Sequence, residues 1–444
     1  GDQPMKHLLL GVAFALAAAL PVRAATDIVE VTSPGGLKAW LVEEHSIPII
    51  ALQVTFRGGT SIDLPGKEGA TNLMMGLLEE GAGEMDATQF LEATEALAAH
   101  FSYRAWRDTT SIDAEMLSEN ADEVIDLLRL ALVEPRFSQV AVDRVRGQVI
   151  SSLTSDATDP DTIASQTLRA LSFPDHPYSA PSDGTIASVT ALTREDIMTA
   201  HKNALVKLRA HIGVVGDITP EELGLMLDRL LGDLATDGPP LPPKAEVAVK
   251  GGTTVVPFDT PQSVAVFGHR GIDRDAPEYL AAYVLNEVLG GNGIESRLMR
   301  EVREKRGLTY GVYTYLASFE SAAQILGNVA SANDRMAETL DVIRTEWSRM
   351  YEEGISEDEL NSAKLYLTGA YPLRFDGNSK IAGVLVGMQL VGLPIDYVYG
   401  RNALIDAITL DEVNAVARQL LSPDALHVVV VGQPVGVEAT DLPN

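Results

Sequence analysis

The 444-residue chain carries 34 Lys+Arg against 62 Asp+Glu, a formal net charge of −28, and no cysteine. Such acidity repels phosphate backbones and anionic lipid, which argues against nucleic acid and membrane surfaces as partners. It suits a basic or neutral polypeptide, although most of the charge reads as solvated surface. The missing cysteines exclude disulfides and thiolate metal sites, and fit an oxidising compartment in which stray thiols are a liability.

In chain order, Gly1-Asp2-Gln3-Pro4 ahead of Met5 reads as a remnant of added sequence. Lys6 and the apolar run Leu8–Leu20 follow, with a small-residue cleavage site at Val22-Arg23-Ala24. Residues 1–24 therefore read as remnant plus export signal, which predicts a periplasmic or secreted protein. The run is shorter than the roughly 20 residues that span a bilayer, and no other membrane segment is predicted. What remains exceeds the roughly 250–300 residues at which single cores stop growing. The break falls at Thr236–Lys244, "TDGPPLPPK", where four prolines and a glycine forbid helix and form a semi-rigid spacer. Residues 25–235 and 245–444 are then the two domains.

The two stretches repeat one plan. "ALTREDIMTAHKNAL" at Ala191 runs into "HIGVVGD" at His211, and "AITLDEVNAVARQLL" at Ala407 runs into "HVVVVGQ" at His427. "VTFRGGTSID" at Val54 parallels "VFGHRGIDRD" at Val266, so duplication is expected. Ile50, Leu52, Val54 and Phe56 alternate with Ala51, Gln53 and Thr55, the pattern of a strand with one face on a core. Helix-period stretches such as Ala121–Leu132 and Met336–Met350 lie between such strands. The expected class is α+β: two duplicated domains, each a mainly antiparallel sheet covered on one face by helices.

"GATNLMMGLLEEG", Gly69–Gly81, reads as a short amphipathic helix, with Ala70, Leu73, Met74, Leu77 and Leu78 on one stripe. Glu79 and Glu80 read as its solvated end. In the second half Gly290, Gly291 and Gly293 form a turn before a helix expected over Ile294–Arg306, which Gly307 stops; a strand is expected over Thr309–Tyr315. No phosphate-binding Gly pattern or Gly-Lys-Ser/Thr ending is present, so this is no nucleotide site. Lys305 and Arg306 read as solvated charges.

The stretch from Gly35 to Gly81 resembles the opening of the pitrilysin/insulinase family of zinc peptidases, the inverzincins. There a helix carries His-x-x-Glu-His, and a distant Glu completes a zinc site in which the middle Glu acts as base on bound water. Laid on this chain, the motif falls on Asn72, Met75 and Gly76, with the downstream ligand near Ser151 or Ser152. Neither Asn, Met, Gly nor Ser supplies that chemistry, and the eight histidines include no pair at metal spacing. The chain is expected to hold no metal or other cofactor. "REKRGLTY" resembles the family's C-terminal signature, with Arg303 and Tyr310 flanking a Gly-Leu. The resemblance implies that this pair hydrogen-bonds a substrate carbonyl or its oxyanion, with Gly290, Gly291 and Gly293 as a cleft loop. It further implies a zinc-less subunit of a heterodimeric exported peptidase, similar to the Arg/Tyr-bearing chain of two-chain bacterial members and to mitochondrial processing peptidase-like subunits. Zinc would sit in a paralogous partner, and peptide or unfolded polypeptide would be the substrate. The alternative is an inert peptide-binding or scaffold protein, acting as a homodimer.

Overall fold

The computed structural model describes residues 27–291 and 295–440. The expected export signal and cleavage site, and Gly293, lie outside the described residues. The first sheet contains β1 (Ile28–Thr32), β2 (Lys38–Glu43), β3 (Ile49–Arg57), β4 (His100–Ala105), β5 (Thr109–Leu117) and β6 (Ala210–Gly216), in the order β1-β2-β6-β3-β5-β4. The second contains β7 (Gly252–Pro257), β8 (Gln262–Arg270), β9 (Val312–Ser318), β10 (Ala323–Ala332) and β11 (His427–Gly432), in the order β7-β11-β8-β10-β9. Strand for strand the orders are the same, with β1 an addition to the first. Only β2–β6 and β7–β11 pair in parallel; the other pairs are antiparallel. The protein is thus α+β, built from two sheets of one topology.

Each sheet lies on its own half's helices. Ile50, Leu52, Val54 and Phe56 pack with the motif helix Ala70–Gly76 and the helix Ala121–Val133 in the first core. The helices Tyr279–Gly290, Met336–Glu353 and Leu410–Leu420 cover the second. The opposite faces are covered too, contrary to the one-face expectation, and by helices exchanged between the halves. Helix Asn378–Leu390 sets Ala382, Leu385 and Met388 against Trp40, Val42 and Val215 of the first sheet. Helix Pro160–Ser172 sets Ala164 and Leu168 against Val264, Val266, Val429 and Val431 of the second. This explains why β11, "HVVVVG", is apolar without alternation: a central strand covered on both faces has no solvent side. It also explains why Ala51 and Thr55, on the reverse of β3, are buried.

The halves meet at the hairpin tips after β4 and β9. The Arg107 guanidinium lies 5.1 Å from the Tyr178 ring centre and 4.6 Å from that of Phe319. The Tyr178 hydroxyl donates to Asp108 and accepts from the Ser321 amide at 2.9 Å. Residues 236–244 form no regular element but are pinned across this joint, with Pro242 O accepting from Ser321 Oγ and Pro243 O bonded to His176 Nε2. Among the described residues no helix is long and apolar enough to cross a membrane.

Candidate functional site

Gly69 turns into the motif helix at φ 91°, and Asp63 holds its first turn. Asp63 Oδ2 accepts from the Gly69 amide at 2.9 Å, and Oδ1 accepts from the Thr71 amide at 3.0 Å and the Thr71 hydroxyl at 2.5 Å. Burial pushes the Asp63 pKa up to about 6, against those hydrogen bonds, which lower it. The predicted stripe is in the core, every member at most 3% exposed. The regular helix stops at Gly76, and residues 77–79 turn before Gly81.

The four positions on which the resemblance lays a metal site are Asn72, Met75, Gly76 and Ser152. Asn72 and Gly76 are half-buried on one face, and Met75 lies in the core. A Cβ built on Gly76 would meet Val145 Cγ1 at 3.4 Å, so helix Gln139–Asp156 packs against this face. Ser152 lies seven residues beyond Val145, about 10 Å further along the same side of that helix, and is exposed with Ser151. Two helices thus pack against each other at Gly76 and Val145, with neither imidazole nor carboxylate at the four positions. Among the described residues no group of three or more His, Asp or Glu is placed to hold a metal ion. Glu80 corrects one expectation: it is buried and ion-paired with Arg144. Glu79 alone is the solvated end.

In the second half the helix preceding Gly307 widens into a π-turn over Met299–Glu304, not the uniform helix expected. Leu298, Met299 and Val302 anchor it in the core. Two buried charges organise the rest. Arg297 makes a bidentate pair with Glu359 at 2.7 Å for both bonds. Burial pushes the Glu359 pKa up, but hydrogen bonds from Arg297 and Ser356 outweigh it and hold it at about 2. Glu301 binds Lys305 at 2.7 Å and Arg306 at 3.0 Å, so those cations are not merely solvated. Burial likewise opposes ionisation of Glu301, and the two cations outweigh it.

Arg303 differs from these neighbours. It is exposed, and forms no ion pair with any described residue. Gly307 then reverses the chain at φ 59°. Tyr310 lies on the bend before β9, not on a strand beginning at Thr309, and is 89% exposed. The bend arises because Thr309 Oγ1 bonds Ala330 O at 2.7 Å and Gly311 O at 2.9 Å, which turns the chain before pairing starts. β9 is the edge of its sheet, and Tyr313 and Tyr315 alternate along it half exposed. No contact brings Arg303 and Tyr310 directly together. Gly290 is a packing residue: a Cβ there would lie 2.6 Å from Thr314 Oγ1 of β9. A Cβ on Gly291 would strike its own helix at Glu287. The Arg107–Tyr178–Asp108 joint carried no sequence signal, because its partners lie 70 to more than 200 residues apart.

Residues 39–184 match the insulinase (peptidase family M16) profile, and residues 191–367 match that of the M16 inactive domain. A Helicobacter pylori protein named a non-peptidase homolog is 27% identical over 374 residues, covering 84% of this chain and 86% of its own. An uncharacterized zinc protease of Mycobacterium leprae is 27% identical over 397 residues, with 88% of each chain covered. Among solved structures, a Pseudomonas fluorescens protein described as a peptidase M16 inactive domain superposes with a TM-score of 0.87 at 26% identity, over 94% of this chain and 100% of that one. A Helicobacter pylori protease has the same fold, with a TM-score of 0.82 at 16% identity, over 92% of this chain and 99% of that one. With the two sheets of one topology and both profiles in agreement, the chain belongs to the insulinase (M16) peptidase family, as a member of its inactive type.

Proposed function

We propose that this chain is the non-catalytic subunit of an exported two-chain peptidase. In this reading it presents Arg303 and Tyr310 to a peptide that a zinc-bearing paralogue cleaves. One observation carries the reading: the other cations of the π-turn are held in ion pairs, whereas Arg303 and Tyr310 stay solvent-facing, Tyr310 just before an open sheet edge. Arg300, Lys305 and Arg306 all serve Glu301 or Glu359; Arg303 serves no described residue. A guanidinium and a phenol are donors that stabilise negative charge on a carbonyl oxygen attacked by metal-bound hydroxide. The β9 edge supplies unpaired backbone groups on which an extended peptide adds as a strand. The substitutions at Asn72, Met75, Gly76 and Ser152 support the partner as the source of zinc. The two 25–235 and 245–444 halves act together as one wall of the chamber.

The test mixes the purified chain with the zinc-bearing paralogue encoded by the same genome and follows cleavage of an unfolded peptide with and without chelator. Cleavage is expected only in the mixture. Arg303→Ala and Tyr310→Phe are each expected to lower kcat by about 100-fold or more, the loss typical of one oxyanion donor. Undiminished cleavage by both variants, or chelator-sensitive cleavage by the chain alone, overturns the proposal. Peptide binding without cleavage in any mixture supports instead an inert peptide-holding homodimer.

A further inference from the structure

A cavity of about 640 Å³ lies between the helices Tyr279–Gly290, Asn378–Leu390 and Tyr397–Ala407 and the turn Tyr371–Phe375. It is separate from the Arg303/Tyr310 region, neither of which lines it. Its charge is opposite to that of the protein. Arg274, Arg374, Lys380 and Arg401 line it, and among the described residues no Asp or Glu does. In a chain with 62 acidic and 34 basic residues such a concentration of one sign needs a reason.

Arg401 supplies the sharpest observation. It is 5% exposed, as buried as Arg297, but lacks the carboxylate that Arg297 finds in Glu359. Its NH1 donates to Leu367 O at 2.9 Å and Asn402 Oδ1 at 3.1 Å, and its guanidinium lies 4.4 Å from the Tyr371 ring centre and 5.8 Å from that of Tyr283. Neutral acceptors and ring faces hold the cation in place without cancelling its charge, so a buried positive centre faces an open cavity. At the rim Arg274 lies 4.1 Å from the Tyr279 ring centre and has no ion-pair partner among the described residues. Lys380 reaches Asp376 only at 4.0 Å, with both side chains mostly exposed. The remaining wall is apolar, with Leu280, Val384 and Met388 prominent.

We infer that this cavity binds an amphipathic carboxylate, its head on Arg401 and the rim cations and its apolar body against the tyrosine and aliphatic walls. A planar guanidinium matches a carboxylate in geometry as well as charge, and the volume suits a small ligand of this kind. Two sources present this chemistry: a free medium-chain acid, and the apolar C-terminal residue of a peptide.

Calorimetric titration of the full chain with decanoate, and with a tetrapeptide ending in phenylalanine, distinguishes them; decanol and the peptide amide are the neutral controls. One or both acids are expected to bind, with the matching neutral compound at least about tenfold weaker, a difference of about 1.4 kcal/mol. Arg401→Gln is expected to abolish binding. Because its burial puts folding at risk, the rim variant Arg274→Gln/Arg374→Gln/Lys380→Gln is measured alongside and is expected to weaken binding about tenfold or more, with an unchanged circular dichroism spectrum. Neutral compounds that bind as well as the acids, a folded rim variant that binds decanoate and the peptide unchanged, or no binding by either acid overturns the inference. No peptidase partner enters these titrations, so their outcome is independent of the proposed function.

Discussion

Asp63 grips the start of the motif helix from inside the protein, and its pKa of about 6 stands well above its ordinary 3.8. The folded chain therefore holds a proton that the unfolded chain has already released at intermediate pH. Its stabilising contribution is fully present below about pH 4 and is lost as pH rises through about 6. Asp63→Asn keeps one acceptor oxygen, for Thr71, sets its amide group against the Gly69 N–H, and removes the titration. The fall in stability between pH 4 and 6 is expected to be shallower in the variant, measured by denaturant unfolding at a series of pH values; an identical slope would assign the effect to another group. At this scale the apolar stripe of the motif helix was legible, because helical period is written in consecutive residues. Lys305 was also within reach, since Glu301 lies one helical turn before it. Glu80 was not, because Arg144 lies 64 residues away and only folding brings them together.

Between residues and whole molecule, two elements decide how Arg303 and Tyr310 are presented. The π-turn is fixed to helix Glu357–Ala370 by Arg297 and Glu359. Removing one partner from a buried pair leaves an uncompensated charge, so Arg297→Ala is expected to cost about 3–5 kcal/mol in denaturant unfolding. Helix Tyr279–Gly290 rests on β9 where Gly290 meets Thr314. Gly290→Ala puts a methyl group into that contact and is expected to destabilise by about 1–3 kcal/mol, read as a lower midpoint of unfolding. Thr309 and Gly311 explain why β9 starts three residues later than alternation predicts. A hydroxyl that bonds two carbonyls diverts the chain, and side-chain alternation records no such bond. The π-turn was equally hidden, because six residues of apolar spacing do not separate a wide turn from an ordinary helix.

At the scale of the whole molecule the exchange of helices makes the halves interdependent. Gly213 of β6 approaches Ala382 O so closely that a Cβ there would lie 2.5 Å from it. Gly213→Val is therefore expected to push the exchanged helix Asn378–Leu390 off the first sheet, seen as faster amide exchange in that helix and along β6. For the same reason residues 27–235 and 245–440, produced separately, are each expected to expose the apolar reverse of a sheet and to aggregate, while co-production restores a soluble complex. A separately produced half that is monomeric and unfolds cooperatively would show the exchanged helices to be dispensable.

The sequence by itself determined the α+β class and the repeated strand plan, because alternation and helical period are local properties written in consecutive residues. Only the tertiary structure decided that each sheet is sealed by the other half's helix, that Arg303, alone among the cations of its turn, has no ion pair among the described residues, and that four cations surround one cavity. Those features depend on contacts between residues tens to hundreds of positions apart, whose energies exist only once the chain has closed on itself.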